Sequence, residues 1–319
     1  MIKATIIADS VSAHTGQRIT TFELEYHRFI HSELMTHRQF SRNAASSRAI
    51  PIDKMIEQVN DDPAVPLYWG LNQSGMQAKD EEADEALSIA TWLDARNKAV
   101  ESARALQELG LHKQIVNRVL EPFQMMKTLV TATSFDNFFN LRCHKDAQPE
   151  IKHLADLMYQ AMQESTPEVL RAYEWHTPYI KHKRTSDGEL HYIADNMLIP
   201  VNAAIQISCS CAAQVSYRKN DTSIEKALAI YDKLVNSEPV HASSFEHCAM
   251  PIDPSGESDE PEGITHWYSY RNKYTFYSGN FKDWVQYRQL IPNHDCKRYE
   301  PKRLNTTRMA TISIPHDNC

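Results

Sequence analysis

Residues 22–52 read FELEYHRFIHSELMTHRQFSRNAASSRAIPI. The first six alternate, with Phe22, Leu24 and Tyr26 on one side and Glu23, Glu25 and His27 on the other, the pattern of a strand with one buried face. A short helix is expected through Phe29 to Met35, and a further segment runs on from Pro51. Between them, Leu34 to Ile52 carries His37, Arg38, Arg42 and Arg48, interleaved with Ser41, Asn43, Ser46 and Ser47. The stretch holds no acidic residue, in a chain where 41 Asp and Glu outnumber 34 Lys and Arg. Guanidinium forks and hydroxyls suit phosphate and carboxylate oxygens, and charge-assisted bonds of that kind are the strong ones. On composition alone, a solvated loop or helix face explains the run equally well.

Outward from this stretch, residues from about Asp61 to Ala78 read as a loop. Ala78 to Leu109 is rich in Ala, Leu, Glu and Lys and reads as a long helix, ended by Gly110 at a C′-like position. A second helix is expected from about His112 to Leu120, stopping near Pro122. Ile151, Leu154, Leu157, Met158 and Met162 recur at helical spacing. Ser165 to Glu168 has the S-x-x-E capping-box form with Pro167 inside the first turn, and Thr222 to Glu225 repeats it as T-x-x-E before a helix through Leu234. Residues 251–263 look like a solvated connector. With no internal repeat, the pattern is α+β with helices in the majority.

The 319 residues suffice for one elaborated domain. Composition is that of an ordinary globular protein, 42% hydrophobic and 24% charged. Only 8 glycines argue against a glycine-rich dinucleotide fold. No apolar run approaches the roughly 20 residues of a membrane helix, and the first residues lack a signal peptide's layout, so a cytoplasmic location without membrane association is expected. A net charge of −7 speaks against nucleic-acid binding through bulk positive charge. The six cysteines read as reduced thiols.

Three further segments carry candidate chemistry. Asn137-Phe-Phe-Asn-Leu-Arg142 ends an apolar stretch on an arginine, which requires an anionic partner: Asp146 or Glu150 in a structural pair, or a ligand. His241-Ala-Ser-Ser-Phe-Glu-His247, with Cys209 and Cys211 upstream, offers metal-ligating residue types. Its spacing matches no common zinc pattern, and no metal site is expected. The last segment holds Trp267, Tyr268, Tyr270, Tyr274, Trp284, Gln286, Tyr287 and Arg288, an aromatic density that suits core or subunit packing better than a ligand platform.

Taken together these motifs resemble the flavin-dependent thymidylate synthases, the ThyX family. That family's R-H-R, S-x-N-x-x-S-x-R signature is matched by Thr36, His37, Arg38, Ser41, Asn43, Ser46 and Arg48. Its N-F-x-x-L-R…A-Q-x-E-I element is matched by Asn137, Phe138, Leu141, Arg142, Ala147, Gln148, Glu150 and Ile151. Its H-x-[ST]-P-F-E-H element is matched by His241, Ser243, Phe245, Glu246 and His247, with Ser244 in place of proline. Its C-A-R-V-S-Y element is similar to Cys211-Ala-Ala-Gln-Val-Ser-Tyr217. The order differs, because the F-E-H segment here follows the arginine cluster; a circular permutation accounts for that. Thr36 and Gln214 stand where the family has arginines, Thr131 and Thr133 stand where flavin-contacting polar residues are expected, and Ile115 or Gln114 replaces a family glutamate.

The resemblance implies an antiparallel or mixed sheet packed with long helices. It implies one domain over residues 1–319, with a helical insertion near 56–110 and a C-terminal extension near 254–319. It implies a homotetramer that converts dUMP to dTMP with methylenetetrahydrofolate as carbon donor, FAD as hydride carrier and NADPH as reductant. Carried over residue by residue, Arg142 and Ser46 are catalytic; Ser46, Ser47, Arg48, Arg118 and Arg142 bind the nucleotide. His37, Arg38, Ser41, Asn43, Asn137, Ser243 and Glu246 line the flavin. None of the cysteines serves as nucleophile. The competing readings are a flavin-dependent pyrimidine nucleotide hydroxymethylase and an inactive nucleotide- or flavin-binding homologue.

Overall fold

The computed structural model describes residues 1–75, 81–217, 223–253, 262–270 and 273–295. Strand β1 (Lys3–Ser12) turns back into β2 (Arg18–His27) as an antiparallel hairpin. The Ser12 hydroxyl accepts the main-chain N–H of His14 and Thr15, each at 3.2 Å. Gly16 closes the turn at φ +71°, a conformation that a Cβ would strain. After β2 come α1 (His31–Leu34), β3 (Ser41–Ala44), α2 (Ile52–Asp61), α3 (Glu85–Glu108) and α4 (Lys113–Val116). Then follow β4 (Met125–Ala132), α5 (Asp136–Arg142), α6 (Pro149–Glu164) and β5 (Glu168–Leu170). The main sheet has the order β3-β4-β2-β1-β5, antiparallel throughout except that β5 lies parallel to β1. The fold is mixed α+β.

The alternation in residues 22–27 sets the first layer. Phe22, Leu24 and Tyr26 join Val130 and Ala132 against Phe138 of α5 and Ile151, Leu154, Ala155 and Met158 of α6. On the opposite face, register aligns Thr21, Thr131 and Ser41 in one row and Glu23, Leu129 and Asn43 in the next. The later part of the chain covers this face. It contributes the small sheet β6 (Lys181–Arg184), β7 (Leu190–Ala194) and β8 (Met197–Ile199), then α7 (Val201–Gln214) and α8 (Ile224–Val235). A 3-10 segment, Ala242–His247, leads into β9 (Ala249–Pro251), β10 (His266–Tyr270), β11 (Lys273–Ser278), β12 (Phe281–Lys282) and β13 (Trp284–Gln286). Leu129 packs on Ala212 and Val215 of this layer, while Ile207, Phe245, Phe281 and Trp284 fill its own core.

Several expected elements are corrected. Ser165 does not open a helix: it ends α6, its hydroxyl donates to Asp9 Oδ2 at 2.7 Å, and Glu168–Leu170 adds to β1 as an edge strand. Pairing with the open edge of β1 outweighs the local capping signal. The helix expected from 112 to 120 is one turn, Lys113–Val116. Just after it the buried Asn117 amide donates to the Ser47 and Ile50 carbonyls at 2.7 and 3.0 Å. The long helix begins at Glu85, because Asp84 Oδ1 caps the Leu87 N–H at 3.0 Å. It ends with Gly110 at φ +78°. Ala78 and Thr222 lie outside the described residues, and α8 starts at Ile224. The 251–263 segment begins as part of a strand, with Pro251 opposite Trp284, before it leaves the described residues at 254.

Within the 56–110 region, α2 buries Met55, Ile56 and Val59 against Val116, Leu120 and Phe123. Helix α3 buries little, and is held by Trp92 Nε1 on the Ala64 carbonyl and Arg96 Nη1 on the Val59 carbonyl, both at 2.9 Å.

Polar side chains inside the molecule form a continuous chain. Ser10 Oγ meets His176 Nδ1 (2.9 Å), His176 Nε2 meets Thr21 Oγ1 (2.8 Å), Thr21 Oγ1 meets Thr131 Oγ1 (2.7 Å), and Thr131 Oγ1 meets His247 Nδ1 (2.8 Å). Burial pushes both histidines down from 6.5 to about 3, so each is neutral in the folded protein. Protonation therefore favours the unfolded chain. The stability they confer is complete above about pH 6.5 and is lost as pH falls from there toward 3, at up to about 1.4 kcal/mol per pH unit for each histidine. Urea-unfolding midpoints should drop measurably between pH 7 and pH 5, a window above most carboxylate titration. A flat profile there would show that these histidines are not neutral and buried.

Candidate functional site

The acid-free stretch after α1 curls into a bend and enters β3, so His37 to Asn43 lies at the sheet's β3 edge. Phe40 is buried with Phe135 and Phe138, and this anchors the bend. The His37 ring sits edge-on to Phe138, centroids 4.9 Å apart. Helix α5 thereby brings Arg142 to the same place: its Nε donates to His37 Nε2 at 2.9 Å and its Nη1 binds the Glu33 carboxylate. Glu33 is the anionic partner of Arg142, in place of the expected Asp146 or Glu150. Glu150 instead turns inward, where it accepts the Leu67 N–H at 2.7 Å and the Gln148 side-chain amide. The correction has a geometric reason. Arg142 is the last residue of α5, and its side chain reaches α1 across the Phe138 contact, not forward along its own chain.

Burial, then the neighbouring Arg142 and Arg42 guanidiniums, lower His37 from 6.5 to about 4. A neutral ring is what the Arg142 bond requires, since only an unprotonated Nε2 can accept. Arg142 is thus aimed by two partners and keeps the rest of its fork. It borders a cavity of about 1110 Å³, together with Phe29, Glu33, Tyr68, Trp92 and Lys152. Volume and mixed polar and aromatic walls suit a small-molecule ligand.

A second cluster adjoins the first. Arg42 Nη1 donates to the Met35 and His37 carbonyls at 2.9 and 3.3 Å, and its guanidinium faces Glu246. Ser41 Oγ donates to Asn280 Oδ1 (3.1 Å) and accepts from Gln286 Nε2 (3.2 Å); Asn43 Nδ2 donates to the Ala212 carbonyl (3.1 Å). The Glu246 carboxylate is ion-paired with Arg288. His247 is buried on Thr131, so the segment 241–247 lies against the sheet beside Thr21 and Ser41, far as these are in sequence. Thr131 and Thr133 are buried, and Thr133 Oγ1 accepts the Lys282 N–H at 2.9 Å.

The nucleotide-binding candidates form a third group. The Ser46 N–H donates to the Ser216 carbonyl at 3.1 Å, Ser47 is buried with its carbonyl on Asn117, and Arg48 is exposed. Arg118 follows Asn117 directly, is exposed, and meets Glu121 at 3.3 Å. Arg38, Arg48, Asn137 and Ser243 are all exposed, and their side chains make no hydrogen bond or ion pair among the described residues. Their donors are open to an anionic or heteroaromatic ligand, a set that fits a nucleotide and a flavin. Ser41 and Asn43, by contrast, are buried and engaged with protein atoms.

Sequence reasoning missed Glu33, Asn280 and the role of Gln286. The Glu33 to His37 spacing of four residues was the available signal, and for Asn280 there was none. The expectation of core packing for the aromatic tail holds at Trp284, which is fully buried with Nε1 on the Gln17 carbonyl at 3.0 Å. Trp267 is half exposed. The metal-ligating types are engaged elsewhere: Cys209 Sγ faces Cys248 Sγ at 3.8 Å, and His247 faces Thr131.

Residues 10–168, about half of the chain, match the family profile described as thymidylate synthase complementing protein. The chain belongs to that family. His241 to His247 falls outside the matched residues. Among solved structures it is similar to a UMP/dUMP methylase, PolB, from Streptomyces cacaoi. The form bound with 5-Br dUMP has 17% identity, 51% of this chain and 90% of that chain covered, and a TM-score of 0.43. The form bound with 5-Br UMP has 19% identity, 51% and 89% covered, and a TM-score of 0.43. No curated protein matches the chain. No helix among the described residues is long and apolar enough to cross a membrane.

Among the described cysteines, Cys143 and Cys209 are poorly suited to nucleophilic attack. Burial, then the Asp156 carboxylate, push Cys143 up to about 11, and burial holds Cys209 well above the usual thiol range. Peptide mapping after iodoacetamide treatment at pH 7.5 should therefore find Cys143, Cys209, Cys211 and Cys248 labelled far more slowly in the native protein than in the urea-unfolded chain. Fast native labelling of any of the four would mark an activated cysteine.

Proposed function

We propose that the protein is a flavin-dependent thymidylate synthase that methylates dUMP to dTMP, with methylenetetrahydrofolate as one-carbon donor and NADPH as the source of reducing equivalents. The observation that carries this reading is Arg142, held by neutral His37 and by Glu33 at the edge of the large cavity. A permanently charged, pre-aimed guanidinium stabilises the N3-deprotonated, enolate-like pyrimidine that must form before C5 can accept a carbon. Ser46, Ser47, Arg48 and Arg118 hold the nucleotide phosphate, and Ser46 stands beside the reacting ring. His37, Arg38, Ser41, Asn43, Asn137, Ser243 and Glu246 form the cofactor site. Arg38, Asn137 and Ser243 supply its open donors, and Ser41 and Asn43 shape its wall. FAD, when bound there, supplies the hydride that completes the methyl group. The family's F-E-H segment is provided by residues 241–247 through a circular permutation, and the active unit is a homotetramer. Exposed Leu87, Leu109 and Ile115 are consistent with subunit contacts.

Thr36 favours one alternative. It is exposed, its hydroxyl donates to the Glu33 carbonyl at 2.7 Å, and it leaves the first position of the arginine motif without a guanidinium. A changed one-carbon product, as in a pyrimidine nucleotide hydroxymethylase, fits such a gap. An absorbance spectrum and a product mass separate the readings. The purified protein should take up FAD, and dUMP should gain a methyl group in the presence of methylenetetrahydrofolate and NADPH. A protein that neither carries nor binds FAD would falsify the proposal, and a hydroxymethyl product would replace it with the alternative.

Replacing Arg142 probes the central assignment. Arg142→Lys keeps a charge but loses the planar fork. Both Arg142→Lys and Arg142→Ala should lower turnover by about 10²–10³ while leaving FAD content near that of the wild type. Near-normal turnover in Arg142→Ala would remove this residue from the chemistry.

A further inference from the structure

The C-terminal strands reach into the cluster at the sheet edge with side chains that no motif identified. Gln286, the last residue of β13, is 2% exposed. Its Nε2 donates to Asn280 Oδ1 at 2.8 Å and Ser41 Oγ at 3.2 Å, with the Glu246 carbonyl at 3.4 Å, and its main-chain N–H donates to Ser278 Oγ at 3.0 Å. Asn280 closes the ring, because its Nδ2 donates to the Gln39 carbonyl at 3.0 Å. The fit is tight: a Cβ on Gly279, which sits at φ +61°, would lie 2.6 Å from Gln286 Oε1. Two residues on, Arg288 pairs with the Glu246 carboxylate and donates from Nη2 to the His294 carbonyl at 3.3 Å, while its buried Nε has no partner. Glu246 thus pairs with Arg288 on the C-terminal side, and its charge also acts on the half-buried Arg42 guanidinium.

We propose that Gln286 and Arg288 are positioning residues of the cofactor site: Gln286 locks the Gln39–Ser41 bend to the Glu246 main chain, and Arg288 aims the Glu246 carboxylate. The inference rests on the reading of His37–Asn43 and Ser243–Glu246 as the flavin wall, and extends it to a segment outside residues 10–168. Its physical basis is that a buried hydrogen-bonded network such as Gln286–Asn280–Ser41 fixes one geometry, whereas separate segments without it have none imposed. Arg142 and its Glu33 and His37 partners make no hydrogen bond or ion pair with Gln286 or Arg288 among those described, so nucleotide binding should be insensitive to both.

The test measures FAD affinity by fluorescence quenching and dUMP affinity by calorimetry, on the full chain. Arg288→Gln and Gln286→Glu should each weaken FAD by about tenfold or more, the worth of one hydrogen bond to a charged group. Affinity for dUMP should stay within about twofold, since the Arg142 cluster shares no hydrogen-bond partner with Gln286 or Arg288 among the described residues. Arg288→Lys should recover part of the loss, and Glu246→Gln combined with Arg288→Gln should cost no more than the worse single change, because the two act as one unit. FAD affinity unchanged in both folded variants overturns this inference alone. So does a parallel loss of FAD and dUMP, which marks a general scaffold role. Should Gln286→Glu fail to fold, the Arg288 pair of variants decides. A wild-type protein that binds dUMP but no FAD overturns both this inference and the cofactor reading beneath it.

Discussion

Strand β4 is buried on both faces, and its polar side chains must find partners inside the protein. Thr128 meets the Tyr26 hydroxyl at 2.7 Å on the side of α5 and α6. Thr131 meets Thr21 and His247 on the other side. The second requirement draws the 241–247 segment onto the sheet and carries Phe245 into the second core with it. A central strand of apolar residues alone would pack as well, but would leave the position of that segment undetermined.

From this follows the placement of charge. The buried sheet face accommodates no unpaired ions, so charged groups meet at the β3 edge, where Arg42 of the 34–52 stretch joins Arg142 and Arg288 from other elements. Glu33 takes Arg142, and Glu246 takes Arg288 while its charge also acts on Arg42. Two of these arginines are each paired with a carboxylate, and Arg42 is held by the Met35 and His37 carbonyls. Such a network is expensive to bury and worthwhile where a fixed positive charge has to act on a ligand. The neutral His37 between Arg142 and the Phe138 ring is part of the same solution, because a protonated ring there would face two guanidiniums.

The two halves of the chain divide the labour. Residues matched to the family supply the sheet, α5 and the arginine stretch. The later residues supply the cover of the second face, and with it Glu246, Asn280, Gln286 and Arg288 at the site's rim. The short strand β13, paired with β9, is therefore more than an appendage: Trp284 fills the core while Gln286, two residues away on the same side of the strand, reaches Ser41 at the sheet edge.

What the sequence alone determined was whatever local pattern controls. The two-residue period of 22–27 specified a half-buried strand, because only that alternation puts Phe22, Leu24 and Tyr26 on one face. Helical spacing at Ile151, Leu154 and Met158 specified α6, and the absence of acids between Leu34 and Ile52 marked a stretch whose arginines have no local carboxylate to pair with. The motifs His37–Arg48, Asn137–Arg142 and His241–His247 were legible as candidates one by one. Only the tertiary structure decided how they are partnered: Glu33 for Arg142, Arg288 for Glu246, and a strand at Glu168 where a capping box promised a helix. These outcomes depend on contacts between residues 42 apart for Glu246 and Arg288, 109 apart for Glu33 and Arg142, and 158 apart for Ser10 and Glu168. Such contacts leave no period in the sequence, because the partner of a buried charge or an open sheet edge is set by which surfaces the core brings together.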